Sequence, residues 1–324
     1  MKKILVVGGA GYIGSHVNKE LNKRGYETII YDNLVYGHKE YVKWGIFEFG
    51  DLNDKARLEE IFNKYNIEAV MHFAAFAYVG ESVKDPSKYY NNNVSNTINL
   101  LDVMIEHNVK YFVFSSSCAT YGQPDIMPIT EDMIQNPINP YGRTKLMVEQ
   151  ICKDYETAYG LHSCCLRYFN AAGDDYDCEI GEKHDPETHI IPLTIYAALG
   201  LRDSIKVYGA DYPTRDGSCI RDYIHVEDLA DAHIRALEYI KENNISNNFN
   251  LGTSNGTSVF EIIDAVKIES GIDFKVEIVE RREGDPAELI GGNLKAKEVL
   301  GWVPKHSDIE YIVKTAWKWH KNNI

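Results

Sequence analysis

Tyr141 and Lys145 stand four residues apart in the run Tyr141-Gly142-Arg143-Thr144-Lys145. At that separation a helix places two side chains on one face. A phenol with an ordinary pKa near ~10 takes no proton at neutral pH, but a fixed ammonium beside it stabilises the phenolate and lowers that value. A tyrosine so tuned can remove a proton from an alcohol or a sugar hydroxyl. The spacing alone is equally compatible with a solvated pair, so its meaning comes from the rest of the chain. Ser115, Ser116 and Ser117 end a predicted strand, where hydroxyls either face a ligand at the carboxyl edge of a parallel sheet or cap a loop. Gly8, Gly11 and Gly14 form GxxGxxG between a first strand and a helix. Gly8 suits the tight turn, Gly11 lets a pyrophosphate approach the backbone, and Gly14 lets helix and strand pack closely. The N–H groups of that helix start would hold the phosphates. Asp32 lies 18 residues after Gly14. An acid there accepts hydrogen bonds from an adenosine ribose and repels a 2′-phosphate, which favours NAD over NADP; the Asp32-Asn33 pair also suits a turn. Asp51 and Leu52 follow a third strand, placed for the adenine edge.

These groups need a sheet to carry them. Residues 3–7, 27–31, 46–49, 69–73, 111–115 and 162–168 read as short apolar strands, with helical patterns near 14–24, 55–65, 87–107 and 141–158. Near-continuous apolar strands alternating with helices predict a parallel sheet covered on both faces. Beyond about residue 170 the pattern changes. Residues 173–189 are acidic and loop-like, 209–218 are turn-rich, and a strand–helix unit returns at 219–241. An apolar segment follows at 248–252. Residues 256–305 then give one helix, a strand at 275–279 and a charged loop, and 308–320 a last helix. The expected class is α/β, a Rossmann-type doubly wound parallel sheet with a smaller, discontinuous C-terminal substrate lobe. Residues 1–170 with about 219–253 would bind NAD, and about 171–218 with 254–324 would form the lobe.

The chain has 324 residues, 44% hydrophobic and 25% charged, with a formal net charge of −14. This is the composition of a globular protein, and the negative charge argues against nucleic acid or an anionic membrane as partner. Phosphates would have to be held by backbone N–H groups and a few arginines against the overall field. No apolar run reaches the length of a membrane span. The six cysteines (118, 152, 164, 165, 178, 219) show no CxxC pair, which predicts free thiols in a cytoplasmic protein. The eleven histidines form no HExxH or similar spacing, so no metal is expected.

With GGAGYIGSH at 8–16, YDNL at 31–34, HFAA at 72–75, SSS at 115–117, YGRTK at 141–145 and LRYFNAAG at 166–173, the chain resembles the extended short-chain dehydrogenase/reductase family. The stretches at 79–83, 209–233, 281–285 and 317–320 narrow the likeness, over essentially the whole length, to that family's UDP-sugar 4-epimerases. The resemblance implies reversible epimerisation of UDP-glucose and UDP-galactose through a 4-keto sugar, with NAD tightly bound. It makes Tyr141 the acid/base on the sugar 4-hydroxyl, Lys145 the partner of Tyr141 and of the nicotinamide ribose, and Ser117 a hydrogen-bond partner of that hydroxyl. Tyr12 and Ile13 would touch the pyrophosphate. Asp32 would hold the adenosine ribose, with Asn33 and Leu34 beside it, and Asp51 and Leu52 the adenine. Phe73, Ala74, Ala75, Asn93 and Ser115 would line the cofactor, with Tyr168 and Phe169 near the nicotinamide. On the substrate, Asn170 would meet the diphosphate, Tyr208 stack on uracil, Arg221 and Arg282 grip the phosphates, and Asp285 hold the uridine ribose. His189, Ile190 and Leu289 would complete the substrate side. Arginine offers a fork suited to diphosphate, although Arg221 and Arg282 equally suit surface ion pairs and Tyr208 equally suits core packing.

Three positions depart from the family pattern. Ala77 replaces a common lysine, His189 a common asparagine, and Leu289 a position that tunes the sugar pocket. A leucine there is intermediate between tyrosine and a small residue, so N-acetylated UDP-sugars stay open as substrates. A nucleotide-sugar 4,6-dehydratase would need a carboxylate pair after the serines, where Cys118-Ala119-Thr120 stand. A non-enzymatic NAD-binding sensor would lack the Tyr–Lys pair. The resemblance also implies a homodimer formed by the helices at 87–107 and 141–158, whose apolar positions could equally cover the sheet.

Overall fold

Runs of β-branched and aromatic residues with little polarity on either side cannot lie at a water-facing surface, and they form one buried sheet. The computed structural model describes residues 2–282 and 284–323, so Met1, Glu283 and Ile324 lie outside the described residues. In chain order the strands are β1 (Lys3–Val7), β2 (Thr28–Asp32), β3 (Ile46–Phe49), β4 (Ile67–His72), β5 (Tyr111–Ser117), β6 (His162–Tyr168), β7 (Asn170–Ala172), β8 (Ile205–Tyr208), β9 (Ile220–Arg221), β10 (Tyr223–His225), β11 (Asn247–Leu251), β12 (Thr257–Ser258), β13 (Val276–Val279) and β14 (Glu288–Leu289). Seven of them make a parallel sheet in the order β11-β6-β5-β4-β1-β2-β3. The order reverses between β1 and β4, and such a reversal opens a crevice at the carboxyl ends of the strands.

The helices are α1 (Tyr12–Lys23), α2 (Lys55–Lys64), α3 (Val79–Lys84), α4 (Pro86–Tyr90), α5 (Asn96–Glu106), α6 (Pro140–Tyr159), α7 (Ile190–Ala198), α8 (Val226–Asn243), α9 (Val259–Ser270), α10 (Leu294–Leu300) and α11 (Ile309–Asn323). Strand alternation sorts them onto two faces. Ile4 and Val6 of β1 pack with Val17 and Leu21 of α1 and with Leu229 and Leu237 of α8. Leu5 and Val7 point the other way, into Leu58 and Ile61 of α2, Leu100 and Val103 of α5, and Val148 and Cys152 of α6. Each such fully buried side chain contributes about 1.5–3 kcal/mol. Leu100 and Val103 of α5 and Val148 and Cys152 of α6 therefore cover the sheet.

The smaller part is built from short pieces: β7 with β10, β12 with β9 and β14, and β8 with β13. Its own core joins Ile191 and Ile195 of α7, Ile262 and Val266 of α9, and Ile312, Val313 and Trp317 of α11. Helix α9 starts at a reciprocal cap between Ser258 and Glu261. The predicted helix at 87–107 is not continuous: α4 and α5 are joined by a π turn at Asn91–Ser95. Helices α7 and α10 and strand β8 were not expected from the sequence. Residues 190–198 are apolar almost all round, so they show no period, and the other two segments are short.

Candidate functional site

Helix α6 begins at Asn139, whose side chain accepts from Gly142 N at 2.8 Å, with Pro140 pre-set in the first turn. This start places Tyr141 and Lys145, one turn apart, against the end of β5. Lys145 is buried, and its Nζ donates to Ser115 O at 2.7 Å while lying 4.8 Å from the centre of the Phe114 ring and 5.8 Å from that of Tyr141. Burial lowers its pKa to about 7. Burial likewise pushes Tyr141 up to about 12, against the pull of the Ser117 hydroxyl. Burial therefore outweighs any depression of the phenol by the lysine here. The ammonium is aimed at a carbonyl, and the same low-dielectric surroundings disfavour both the phenolate and the ammonium.

The three serines divide by strand alternation. Ser115 Oγ is hydrogen-bonded to the Tyr168 hydroxyl, and Ser117 Oγ accepts from Ala119 N at 3.1 Å. Ser116 faces the opposite way and donates to Glu149 Oε1 at 2.5 Å. There Glu149 meets Arg167 in a buried fork, with Nε at 2.9 Å from Oε1 and Nη2 at 2.6 Å from Oε2. Arg167 Nη1 also donates to the Tyr121 hydroxyl at 2.7 Å, and that hydroxyl donates to Asn250 Oδ1 at 2.8 Å. This network ties α6, β5, β6 and β11 together beneath the site.

Tyr141, Lys145 and Ser117 open into the same cleft as the glycine turn, a cavity of about 850 Å³ at the sheet's crevice. Gly8 has φ +78°, and a methyl on it would meet Ala74 N at 2.5 Å. A methyl on Gly14 would overlap the Gly8 carbonyl oxygen. Both positions are therefore closed to larger residues, and the first-turn N–H groups of α1 face the cleft. Asp32 ends β2, accepting from Ala10 N at 3.0 Å and Leu34 N at 2.8 Å. Each oxygen keeps a lone pair for ribose hydroxyls. Burial raises its pKa, against those two N–H groups. Asn33 donates to Asp51 Oδ2 at 2.6 Å.

The wall of the cleft includes Gly8, Gly11, Tyr12, Ile13, Gly14, Asp32, Asn33, Asp51, Leu52, Phe73, Ala74, Ala75, Ser115, Tyr168 and Phe169 on the cofactor side. On the other side stand Asn170, His189, Arg221, Arg282, Asp285 and Leu289. Leu34, Asn93, Ile190 and Tyr208 lie off this wall. The Tyr12 hydroxyl donates to Gly173 O, which leaves the backbone N–H as the group of that residue open to a pyrophosphate. Asn93 sits in the π turn and clamps the loop after β4, bonding Phe76 N at 2.9 Å, Phe76 O at 3.0 Å and Thr144 Oγ1 at 3.2 Å. Ile190 packs into the lobe core. Tyr208 lies under the Arg282 guanidinium, 3.8 Å from its ring centre. Arg221 is paired with Asp285, Nη2 to Oδ1 at 3.1 Å. Sequence reasoning did not find Tyr36, Tyr78, Gln123, Glu182 or His184 on the wall. They come from loops, where no periodicity marks them.

The lobe is fastened to the nucleotide side through α1. Lys19, almost fully buried, bonds Asp175 Oδ1 at 2.7 Å and approaches Asp177 at 3.3 Å and Glu179 at 2.6 Å.

The residues present fit a dinucleotide: a glycine turn that only glycine can make, helix N–H groups beside it, and a strand-end carboxylate with free lone pairs. The chain belongs to the NAD dependent epimerase/dehydratase family, whose model matches residues 4–252. Within that class it is similar to UDP-glucose 4-epimerases. The protein of that name from Rhizobium meliloti (strain 1021) is 54% identical over 317 residues, covering 98% of this chain and 96% of the relative. The crystal structure of UDP-glucose 4-epimerase from Brucella ovis in complex with NAD is 52% identical, with a TM-score of 0.96 and 98% of both chains covered. The UDP-Glc/GlcNAc 4-epimerase of Campylobacter jejuni is 43% identical, with a TM-score of 0.88, covering 99% of this chain and 100% of that one.

Proposed function

We propose that the protein reversibly inverts carbon 4 of UDP-glucose and UDP-galactose through a transient 4-keto sugar, with NAD as its tightly held cofactor. The observation that carries this reading is the convergence of Tyr141, Lys145 and Ser117 on the cleft that also holds the glycine turn, Arg221 and Arg282. When bound, NAD supplies a reversible hydride acceptor for carbon 4 and, in its oxidised form, a positive charge that favours the phenolate. Tyr141 takes the 4-hydroxyl proton and later returns it. Ser117 orients that hydroxyl, and Lys145, held by Ser115 O at 2.7 Å, fixes the geometry and charge around the phenol. Arg221 and Arg282 hold the diphosphate while the hexose turns, so the affinity comes from the nucleotide and leaves the sugar free to present either face. Cys118 and Ala119, rather than carboxylates, line the wall beside Ser117, which disfavours the dehydratase reading. Leu289 leaves UDP-N-acetylhexosamines as the alternative substrates.

The division of labour between residues 1–170 with 219–253 and the remaining lobe follows the same reading, as do a cytoplasmic setting and a homodimer through α5 and α6. On α6, Met147 and Tyr159 are exposed and free to meet a second copy, and light scattering on the purified protein tests that. The functional test is conversion of UDP-galactose by purified protein with no added reductant. Tyr141→Phe should lose about 10²–10⁴-fold in turnover, the ordinary worth of one proton-transfer group, with UDP binding unchanged. Near-normal turnover in that variant, or a need for stoichiometric NADH in the wild type, overturns the proposal.

A further inference from the structure

Residues 173–189 cross the mouth of the cleft between β7 and α7, and four of their side chains converge. One donor atom each of Glu182, His184, Glu187 and His189 lies within 4.8 Å of all the others. His189 Nδ1 is 2.9 Å from Glu182 Oε1 and 2.8 Å from Glu187 Oε1. His184 Nδ1 is 3.4 Å from Glu182 Oε1 and 3.5 Å from Glu187 Oε2. Donors at the corners of a tetrahedral zinc site, with bonds of about 2.0–2.2 Å, are separated by about 3.3–3.6 Å. The His184 separations already match, and those of His189 need to widen by only about half an ångström. Because they involve Glu187 Oε2 and Oε1 respectively, ligation through one oxygen also needs a small turn of that carboxylate.

A second observation is independent of these distances. Glu182 is 3% exposed, yet its Oε1 makes no hydrogen bond, and neither do His184 Nδ1 or Glu187 Oε2. Buried polar atoms without partners are rare. An imidazolium–carboxylate cluster does not resolve this, because the Nδ1–H of a protonated His184 finds no aligned acceptor. A cation at the centre would satisfy all three atoms together. The neighbouring group Asp175, Asp177 and Glu179 shows the contrast: its centre is filled by the Lys19 ammonium.

We propose that Glu182, His184, Glu187 and His189 bind one divalent transition cation of the zinc type, in a closed site that pins this loop over the cleft. Two imidazoles with two carboxylates suit zinc, whereas magnesium and calcium prefer oxygen alone. Four protein ligands leave no open position, the mark of a structural site. The cation would stand beside the nucleotide turn, since the Tyr12 ring lies edge-on to His184 at 6.1 Å and the Tyr12 hydroxyl holds Gly173.

The test uses tag-free full-length protein expressed with supplementary zinc, its metal content measured after gel filtration. Near-stoichiometric zinc is expected. Protein stripped by a chelator should regain thermal stability on adding Zn²⁺, and Co²⁺ in its place should give the intense visible bands of tetrahedral coordination. His184→Ala and Glu187→Gln should each abolish the metal and the cobalt spectrum, with far-UV circular dichroism confirming the fold. Only trace zinc in the wild type, a weak octahedral cobalt spectrum, or undiminished zinc in both variants overturns the proposal. Turnover of UDP-galactose is scored separately, so a metal-free, active enzyme refutes this site and leaves the epimerase reading intact.

Discussion

Replacing Arg167 by methionine tests whether the buried fork beneath α6 holds the site together. Arg167 and Glu149 are 2% and 1% exposed. In Arg167→Met the Glu149 carboxylate keeps Ser116 at 2.5 Å and Gln135 at 3.1 Å but loses its only cation among these contacts. A buried charge stripped of its partner costs about 3–5 kcal/mol. Unfolding entropy of about 2.1 cal/mol/K per residue gives about 0.7 kcal/mol/K for 324 residues, so Tm should fall by about 4–7 °C. Removing both charges, in Arg167→Met with Glu149→Leu, should recover most of that loss, because the desolvation penalty of the pair disappears with it. Differential scanning calorimetry at one NAD concentration measures all three proteins. A fall of less than about 2 °C in the single variant, or a double variant no better than the single, refutes the argument that an unpaired buried charge dominates here.

Gly14→Ala should leave the purified protein without NAD, since the added methyl overlaps the Gly8 carbonyl oxygen; full NAD content by absorbance contradicts the account of the turn. Burial, with Lys145 adding to it, lowers His72 to about 3, whereas an unfolded imidazole titrates near 6.5. The unfolded state therefore takes up the proton first, and stability is lost as pH falls from about 6.5 towards 3. His72→Gln should flatten that loss by up to about 1.4 kcal/mol per pH unit, and parallel Tm-versus-pH curves for variant and wild type would show His72 to be uninvolved. Leu289 packs on the cluster of Cys118, Tyr121, Ile129 and Phe169 at the cleft wall. Leu289→Gly should raise the preference for UDP-N-acetylgalactosamine over UDP-galactose by about tenfold and Leu289→Tyr lower it similarly, read as a ratio of kcat/KM values; no change in either direction would remove Leu289 from the sugar subsite.

The parallel sheet was readable in the sequence because most of its strands are apolar runs, although β11 carries three asparagines in five residues. Even β11, seen only as an apolar segment at 248–252, lies where a nucleotide-binding unit needs it. Tyr141 and Lys145 were readable because a helical spacing survives into the fold unchanged. Their ionisation was not, since it depends first on how deeply the fold buries them, which no spacing announces. Asn93, expected beside the cofactor, sits in the π turn and holds the loop after β4, contacts that no spacing announces. The paired strands of the lobe are two to four residues long, too short for most of them to show an alternation; the segment at 275–279 is the exception. The Glu182-x-His184-x-x-Glu187-x-His189 group lies on a loop, so a search for ligands at helical spacing passes over it.

The ion pair between Arg221 and Asp285 has a consequence for what the open cleft admits. A guanidinium already matched by a carboxylate offers little to a stray orthophosphate, which would have to displace that partner with one anionic group. On the proposed reading, a nucleotide-sugar would compensate for that displacement along its whole length, offering Asp285 hydroxyl groups in return, and the ion pair would re-form as the diphosphate leaves.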